Sequence, residues 1–481
     1  MQGRLTRTSY SATAAGAVAC LWLAASGTDS AAATRDLEAF GTPVRALPPD
    51  PAIALALQRI SADEIRKTIE TLVSFRTRNT LSSMDTDLPP GQGINAAAAW
   101  IESQLGRYAA ACQGCLEVKR DTFLESPQER IPRPTQITNI YAVLRGSDRV
   151  QAKRVYLVTG HYDSRSTDVM DSHADAPGAN DDASGVAVSL ECARVLSGLK
   201  PAATIIFAAV AGEEQGLNGS RHLAGLARKE GWQLEAVLNN DIVGGNTTPG
   251  NRWQDKTSVR VFSEGIPVAA TAEQAQLIES LGYESDSPSR ALARTILEIG
   301  ATYGQQGNAA FKPVLEFRRD RFLRGGDHTS FNQEGFAAVR FTEWNEDYHH
   351  QHQLPRVENG IEYGDLLKFV DYRYVARVAA INAATLATLA MAPPAPANVR
   401  ILTQGLGNVS TLQWEGGPET RSGTSYEVLW RELTAATWQR LEHAPRLSLE
   451  LPLSKDNVIF AVRSVDAVGH RSPAVAPLPQ R

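Results

Sequence analysis

Cysteine is scarce in this chain, with four residues in 481. No second Cys-x-x-Cys accompanies Cys112-Gln-Gly-Cys115, which excludes a four-thiolate zinc site. The βαβ context of a thioredoxin-type redox motif is missing too, leaving a local disulfide as the reading of this pair. Cys192 falls at an apolar helical position and reads as a buried free thiol. There is no long run of like charge. The formal net charge of −5 is only slightly acidic and gives no sign of nucleic-acid binding. The one apolar stretch at the N-terminus, Ala14 to Ala25, is too short to span a membrane. No internal repeat or long low-complexity segment follows it.

What is present begins with a leader. Arg4 and Arg7 precede that apolar stretch, and Ala31-Ala-Ala33 is a cleavage candidate, so residues 1–33 read as a secretory signal. Export, to a periplasm or outside the cell, is the expected fate. Cys20 sits poorly for a lipoprotein anchor. The length fits about two or three domains at ~150 residues each. Residues 34–51 read as an irregular mature N-terminus, with removal as a propeptide left open. Ser61-Ala-Asp-Glu64 is a capping box opening a helix with Ile65, Ile69 and Leu72 on one face. Asn95 is expected to cap the next helix. Leu116–Arg120, Asn139–Leu144, Val259–Phe262, Phe317–Phe322 and Ala338–Thr342 read as strands. Ser287-Pro288 starts a helix, and a long helix is expected from Tyr363 to Leu389. Ala392-Pro-Pro-Ala-Pro396 is a stiff linker. Beyond it, short alternating strands around Trp414, Tyr426–Trp430, Leu447–Leu451 and Ile459–Arg463 predict a small β-sandwich. The order of Trp414, Tyr426 and Val462–Ser472 resembles a fibronectin type III domain, with no partner identifiable.

The chemistry gathers between Val155 and Gly245. Val155–Thr159 runs into Gly160-His161-Tyr162-Asp163. Thr204–Val210 runs into Ala211-Gly212-Glu213-Glu214, and Leu234–Leu238 into Asn239-Asn240-Asp241. Gly178-Ala-Asn-Asp181-Asp-Ala-Ser-Gly185 opens an apolar helix between the first two. In open α/β sheets, ligands gather at the carboxyl ends of strands. Taken singly, each signal has an ordinary explanation. His161 with Asp163 is often hydrogen-bonded structure, Asp181 could cap a helix, and Asp241 could be a turn residue. His349, His350 and His352 could be a solvated loop. Glu213-Glu214 is harder to dismiss, because adjacent carboxylates beside an apolar strand repel unless something positive compensates. Together these groups converge on one sheet edge, and so many carboxylates in one crevice call for divalent cations. Imidazole and carboxylate without thiolate suit zinc. Six candidates can supply two metals, with one bridging carboxylate and one carboxylate to spare.

Over residues 60–390 these motifs resemble the co-catalytic zinc exopeptidases of the aminopeptidase Y and bacterial leucyl aminopeptidase type. The motifs are Gly-His-Tyr-Asp-Ser, Gly-Ala-Asn-Asp-Asp-Ala-Ser-Gly, Glu-Glu-x-Gly-x-x-Gly-Ser, Asn-Asp and Tyr-His. The resemblance implies an α/β fold, a mixed central sheet with helices on both faces, plus a small C-terminal β-sandwich. It implies two Zn2+ ions, with His161 and Asp241 on one, Glu214 on the other and Asp181 bridging. The last ligand, a His after an aromatic residue, points to His349 after Tyr348. The residues after it, His350-Gln-His352, depart from the family pattern. Glu213 becomes the general acid/base, and Asp163 fixes the His161 tautomer. His328 falls in a family motif near the site without being a ligand. The organisation implied is a signal peptide over 1–33, the exopeptidase domain over 34–392, a Pro-rich linker over 393–397 and the fibronectin type III-like domain over 398–481. Peptides are the expected substrates, cut from the N-terminus. Alternatives are a single-zinc glutaminyl cyclase on the same fold, a non-catalytic binding protein, or a surface adhesin with an incidental peptidase. Every proposed catalytic residue precedes the linker, so deleting residues 395–481 is expected to leave hydrolysis largely intact.

Overall fold

Alternation of period two builds the central sheet. Along Arg154–His161, Val155 and Leu157 face one core while Tyr156 and Val158 face another. Thr204–Val210 does the same, with Ile205, Phe207 and Ala209 on one side and Ile206, Ala208 and Val210 on the other. A strand apolar on both faces must be covered on both. The structure, a computed structural model, describes residues 36–481 except 251, 307–308, 405–406, 419 and 421–422. The leader read over residues 1–33, with its cleavage candidate and Cys20, lies outside the described residues.

In chain order the elements are α1 (Asp36–Ala39), β1 (Thr42–Pro43), α2 (Pro51–Leu57), α3 (Ala62–Ser74), α4 (Ile94–Ala111), β2 (Leu116–Glu125), β3 (Thr135–Leu144), β4 (Arg154–His161), α5 (Ala183–Leu196), β5 (Thr204–Val210), α6 (Asn218–Lys229), β6 (Gln233–Asn240) and β7 (Ser258–Ser263). Then come α7 (Ala272–Leu281), α8 (Pro288–Tyr303), the short β8 (Gln305–Gln306) and β9 (Ala309–Ala310), β10 (Lys312–Glu316), α9 (His328–Gln333), β11 (Ala338–Thr342), β12 (Arg356–Glu358), β13 (Ile361–Tyr363) and α10 (Tyr372–Met391). The eight-stranded sheet runs β10-β7-β11-β6-β4-β5-β3-β2. Its centre, β11-β6-β4-β5, is parallel, and antiparallel pairs flank it. α3, α4, α5, α8 and α10 pack on one face, α6 and α9 on the other. The fold is therefore the mixed α/β sheet with helices on both faces. Cys112 and Cys115 form a disulfide, and Cys192 is a buried free thiol.

The last segment forms β14 (Ala397–Leu402), β15 (Ser410–Glu415), β16 (Ser425–Glu432), β17 (Arg440–Ala444), β18 (Ser448–Leu451), β19 (Val458–Val465) and β20 (Leu478–Gln480). They make two four-stranded sheets, β1-β17-β16-β19 and β18-β15-β14-β20, closed over a core with Trp414, Val428, Trp430 and Phe460. One of those strands is N-terminal. The segment expected to be irregular instead pairs Thr42 with Leu441, and the Trp430 indole donates to the Leu37 carbonyl at 3.0 Å. Gly41, at φ +62, passes so close to Trp430 that a Cβ would collide with the ring. Asp50 then caps α2 through the amides of Ala52 and Ile53.

The sandwich is locked to the α/β layer. Arg431 grips Asp286 with two bonds of 2.8 and 2.6 Å, and Arg463 joins Glu298 at 2.6 Å and Glu427 at 2.7 Å.

Three other expectations are corrected. α4 starts at Ile94 after Gly93, and its first amide is taken by the Ser82 hydroxyl, not by Asn95. The edge strand is Lys312–Glu316, and residues 317–322 are loop. The long helix begins at Tyr372, capped by Asp371, and Tyr363 lies in β13.

Candidate metal centre

The parallel order β6-β4-β5 brings three carboxyl ends side by side. His161 closes β4 opposite Val210, so Glu213 and Glu214 follow one turn beyond, and Asp241 follows β6 on the other flank. α5 supplies the fourth group. Its N-terminus can lie against the sheet because glycines meet there: a Cβ on Gly160 would sit 2.4 Å from the Gly185 carbon, and one on Gly185 2.1 Å from the Asn240 oxygen. Asp182 caps the helix by accepting from the Gly185 amide at 2.8 Å, and it also accepts from the His161 amide at 3.0 Å. Capping therefore falls to Asp182, which leaves Asp181 free to face the cleft.

Asp181 stands between two histidines. Its Oδ1 lies 3.2 Å from His161 Nε2 and its Oδ2 2.9 Å from His352 Nε2. Glu214 Oε1 is 3.2 Å from the same His352 nitrogen. Two groups result, His161–Glu213–Asp241 and Asp181–Glu214–His352, each with candidate ligand atoms within 4.8 Å of one another. His349 is not among them. It bonds Asp347, packs edge-on to Tyr363, and its side chain is 53% exposed. The reason is a tight turn. The amides of His350 and Gln351 fold back to the Asp347 carbonyl, and His352, at φ +54, swings inward. His350 stacks on Phe369. It is therefore His352, not His349 as expected, that the structure brings beside Asp181 and Glu214.

Asp163 is fully buried, and its carboxylate accepts from the amides of Glu213 (3.3 Å) and Glu214 (3.1 Å) and from the Thr80 hydroxyl. It holds the Glu-Glu turn in place. The nearer partner of His161 Nδ1 is the Asp163 carbonyl at 3.1 Å, with the carboxylate at 3.4 Å. With Nδ1 donating to that carbonyl, Nε2 is left free to coordinate.

The residues fit a divalent cation. His161 Nε2 and Glu214 Oε1 are buried and, although Asp181 and His352 lie 3.2 Å away, neither makes a well-aligned hydrogen bond, a costly arrangement unless something else binds them. Four carboxylates and two imidazoles, with no thiolate, suit zinc. Charge crowding shows in the protonation. Burial, with Glu214 and Asp241 near, pushes the Glu213 carboxyl well above its usual range, against a pull from His161. Burial would lower the His352 imidazole, but Glu214 and Asp181 raise it to about 10.

Several supporting residues escaped sequence reasoning. Asp365 accepts from the amides of Asn180 and Asp181 at 2.9 and 2.7 Å. Glu343 accepts from Asn180, Gly245 and Asn246. Arg340 bonds Asp241 Oδ1 at 2.8 Å, turning the other oxygen toward His161. Arg340 inside the apolar run of β11, and Glu343 at the head of the polar cluster after it, were the signals available in the sequence. Asp327, buried with both oxygens unpaired, has its carboxyl pushed up to about 7 by desolvation. His328 bonds the Arg319 carbonyl at 2.9 Å, away from both groups.

A cleft of about 680 Å3 opens over these residues. Residues 139–359 match the profile of peptidase family M28. The probable zinc metalloprotease of Leptosphaeria maculans is 46% identical over 433 residues, covering 90% of this chain and 98% of the relative. The chain belongs to peptidase family M28. A probable zinc metalloprotease of Pyricularia oryzae is 47% identical to this M28 chain over 448 residues, covering 91% and 87%. Among solved structures, the M28 chain is similar to the Legionella pneumophila LapA aminopeptidase (18% identity, TM-score 0.48, covering 72% and 74%). It is also similar to a Porphyromonas gingivalis glutaminyl cyclase (19%, TM-score 0.43, covering 68% and 98%).

Proposed function

We propose that this M28 chain is an exported di-zinc aminopeptidase of the aminopeptidase Y type. One observation carries the reading: the Asp181 carboxylate offers one oxygen toward each histidine, as a shared ligand between two metals must. His161, Asp241 and Asp181 would hold one zinc, and Asp181, Glu214 and His352 the other. The relatives described as probable zinc metalloproteases support the choice of metal. Bound zinc supplies Lewis acidity, which acidifies water and polarises a peptide carbonyl. With Asp181 completing the His161 group, Glu213 stays free. Half-buried at the cleft, it takes the proton of the attacking water and returns it to the leaving amine. Asp163 positions it through its backbone amide.

The leader pattern and the Cys112–Cys115 disulfide support export. The C-terminal sandwich is read as a fibronectin type III-like module. The test measures hydrolysis of free and N-acetylated aminoacyl anilides, with and without chelator, beside zinc content. Cleavage of the free form alone, lost with chelator, is expected. Equal cleavage of both forms would remove the aminopeptidase assignment, and a firm single zinc would favour the cyclase.

A further inference from the structure

Four arginines line the cleft over the metal-type residues: Arg130, Arg165, Arg321 and Arg324. Two of them are already held in ion pairs. Arg321 and Arg324 both pair with Glu346, at 2.7 and 3.3 Å. Arg130 and Arg165 are different. Arg130 Nη1 donates to the Glu214 carbonyl at 3.0 Å, and Arg165 donates to the carbonyls of Ser166 and Thr167 at 3.1 and 3.0 Å. Among the described residues neither guanidinium forms an ion pair. Backbone carbonyls orient both heads, with Arg130 exposed and Arg165 half-buried at the cleft.

Their placement is not incidental. Arg130 is fastened to the backbone of the Glu213-Glu214 turn itself. Arg165 sits on the loop that leaves His161, and that loop is tied to the one carrying His352 by the Leu354 amide on the Thr167 hydroxyl at 3.1 Å. A guanidinium carries five N–H donors in a planar fork, and these two have used only one and two of them. The fork matches a carboxylate in two parallel bonds. A cavity of about 680 Å3 lies within the ~300–1,000 Å3 of small-ligand sites. A short peptide fits it better than a folded protein does.

Resting on the peptidase reading above, we propose that Arg130 and Arg165 bind a carboxylate of the substrate. The enzyme is then selective for short peptides that carry an anionic group near the cleaved bond. Two sources share that chemistry, a free α-carboxylate and an acidic side chain.

The test compares kcat and KM of the zinc-loaded protein on two pairs: Leu-Ala-Ala against its C-terminal amide, and Leu-Glu amide against Leu-Gln amide. Arg130→Gln, Arg165→Gln and the double variant are measured beside it, with zinc content and Tm as checks on integrity. In one pair or the other, the natural protein should favour the carboxylate by about 10- to 100-fold, mainly through KM, as for hydrogen bonds to a charged group. The double variant should bring that ratio close to one. A preference in the first pair identifies the α-carboxylate, and in the second the acidic side chain. Hydrolysis with no preference in either pair, or a preference untouched in the double variant, would overturn this inference and leave the peptidase reading standing. No hydrolysis of any of the four peptides would overturn both.

Discussion

Glu213 and Glu214 are neighbours in sequence and face different groups: Glu213 lies with His161 and Asp241, Glu214 with Asp181 and His352. Glu213→Ala should keep its zinc and lose about 10²–10⁴-fold in kcat, the loss of a general base. Glu214→Ala should lose zinc from one site. Zinc content measured beside kcat decides, and the reverse pattern would exchange the two roles. The same measurement separates the histidines. His352→Ala should lower zinc content, whereas His349→Ala should not, because the His349 side chain turns to Asp347 and Tyr363, outside both groups. The strand-end acids were legible because apolar runs stop just before them. His352 was not, because its approach depends on a left-handed residue at the end of a turn, which no periodicity encodes. Protonation gives a third outcome. With His352 held protonated up to about 10, zinc binding near neutral pH must displace protons, and affinity should fall as pH falls. Titration calorimetry of the metal-free protein in buffers of differing ionisation enthalpy should show about one to two protons released per chain. Zinc uptake with no proton release would contradict it.

Helix α5 brings Asp181 to the sheet only because nothing separates its first turn from β4 and β6. Gly185→Ala would place a methyl 2.1 Å from the Asn240 oxygen. The helix must then lift, at an overpacking cost of about 1–3 kcal/mol. A lower Tm together with reduced zinc content is expected, and an unchanged Tm would show that the contact is relieved some other way. Elements with strong local signals were readable. Apolar runs marked β4, β5 and β6, and Ser287-Pro288 marked the start of α8. Elements stabilised from a distance were not. Pro313 disguises β10, where an edge strand tolerates it. α4 is capped by a hydroxyl twelve residues away instead of by a residue at its own start.

At the scale of the whole molecule, the sandwich is not the detachable module that its Pro-rich linker suggests. Arg431 and Asp286 are both buried and bonded twice across the junction. Arg431→Ala should therefore cost about 3–5 kcal/mol, as breaking one side of a buried pair does. Calorimetry should show one unfolding transition in the natural protein. Removing residues 395–481 should lower Tm and the yield of zinc-loaded protein while leaving kcat per bound zinc largely intact, since His161, Asp181, Glu213, Glu214, Asp241 and His352 all precede the linker. Two separate transitions, with the first unaffected by the truncation, would refute the coupling. The short strand β1 carries this closure into time. Thr42 meets a partner 399 positions later. At about 5–20 residues per second, a ribosome needs about 20–80 s to make the stretch between them. Until then Leu37, Gly41 and Thr42 have no sheet to join, and the segment is open to proteases and chaperones. The earliest part of the described chain to be synthesised is thus among the last to find its place.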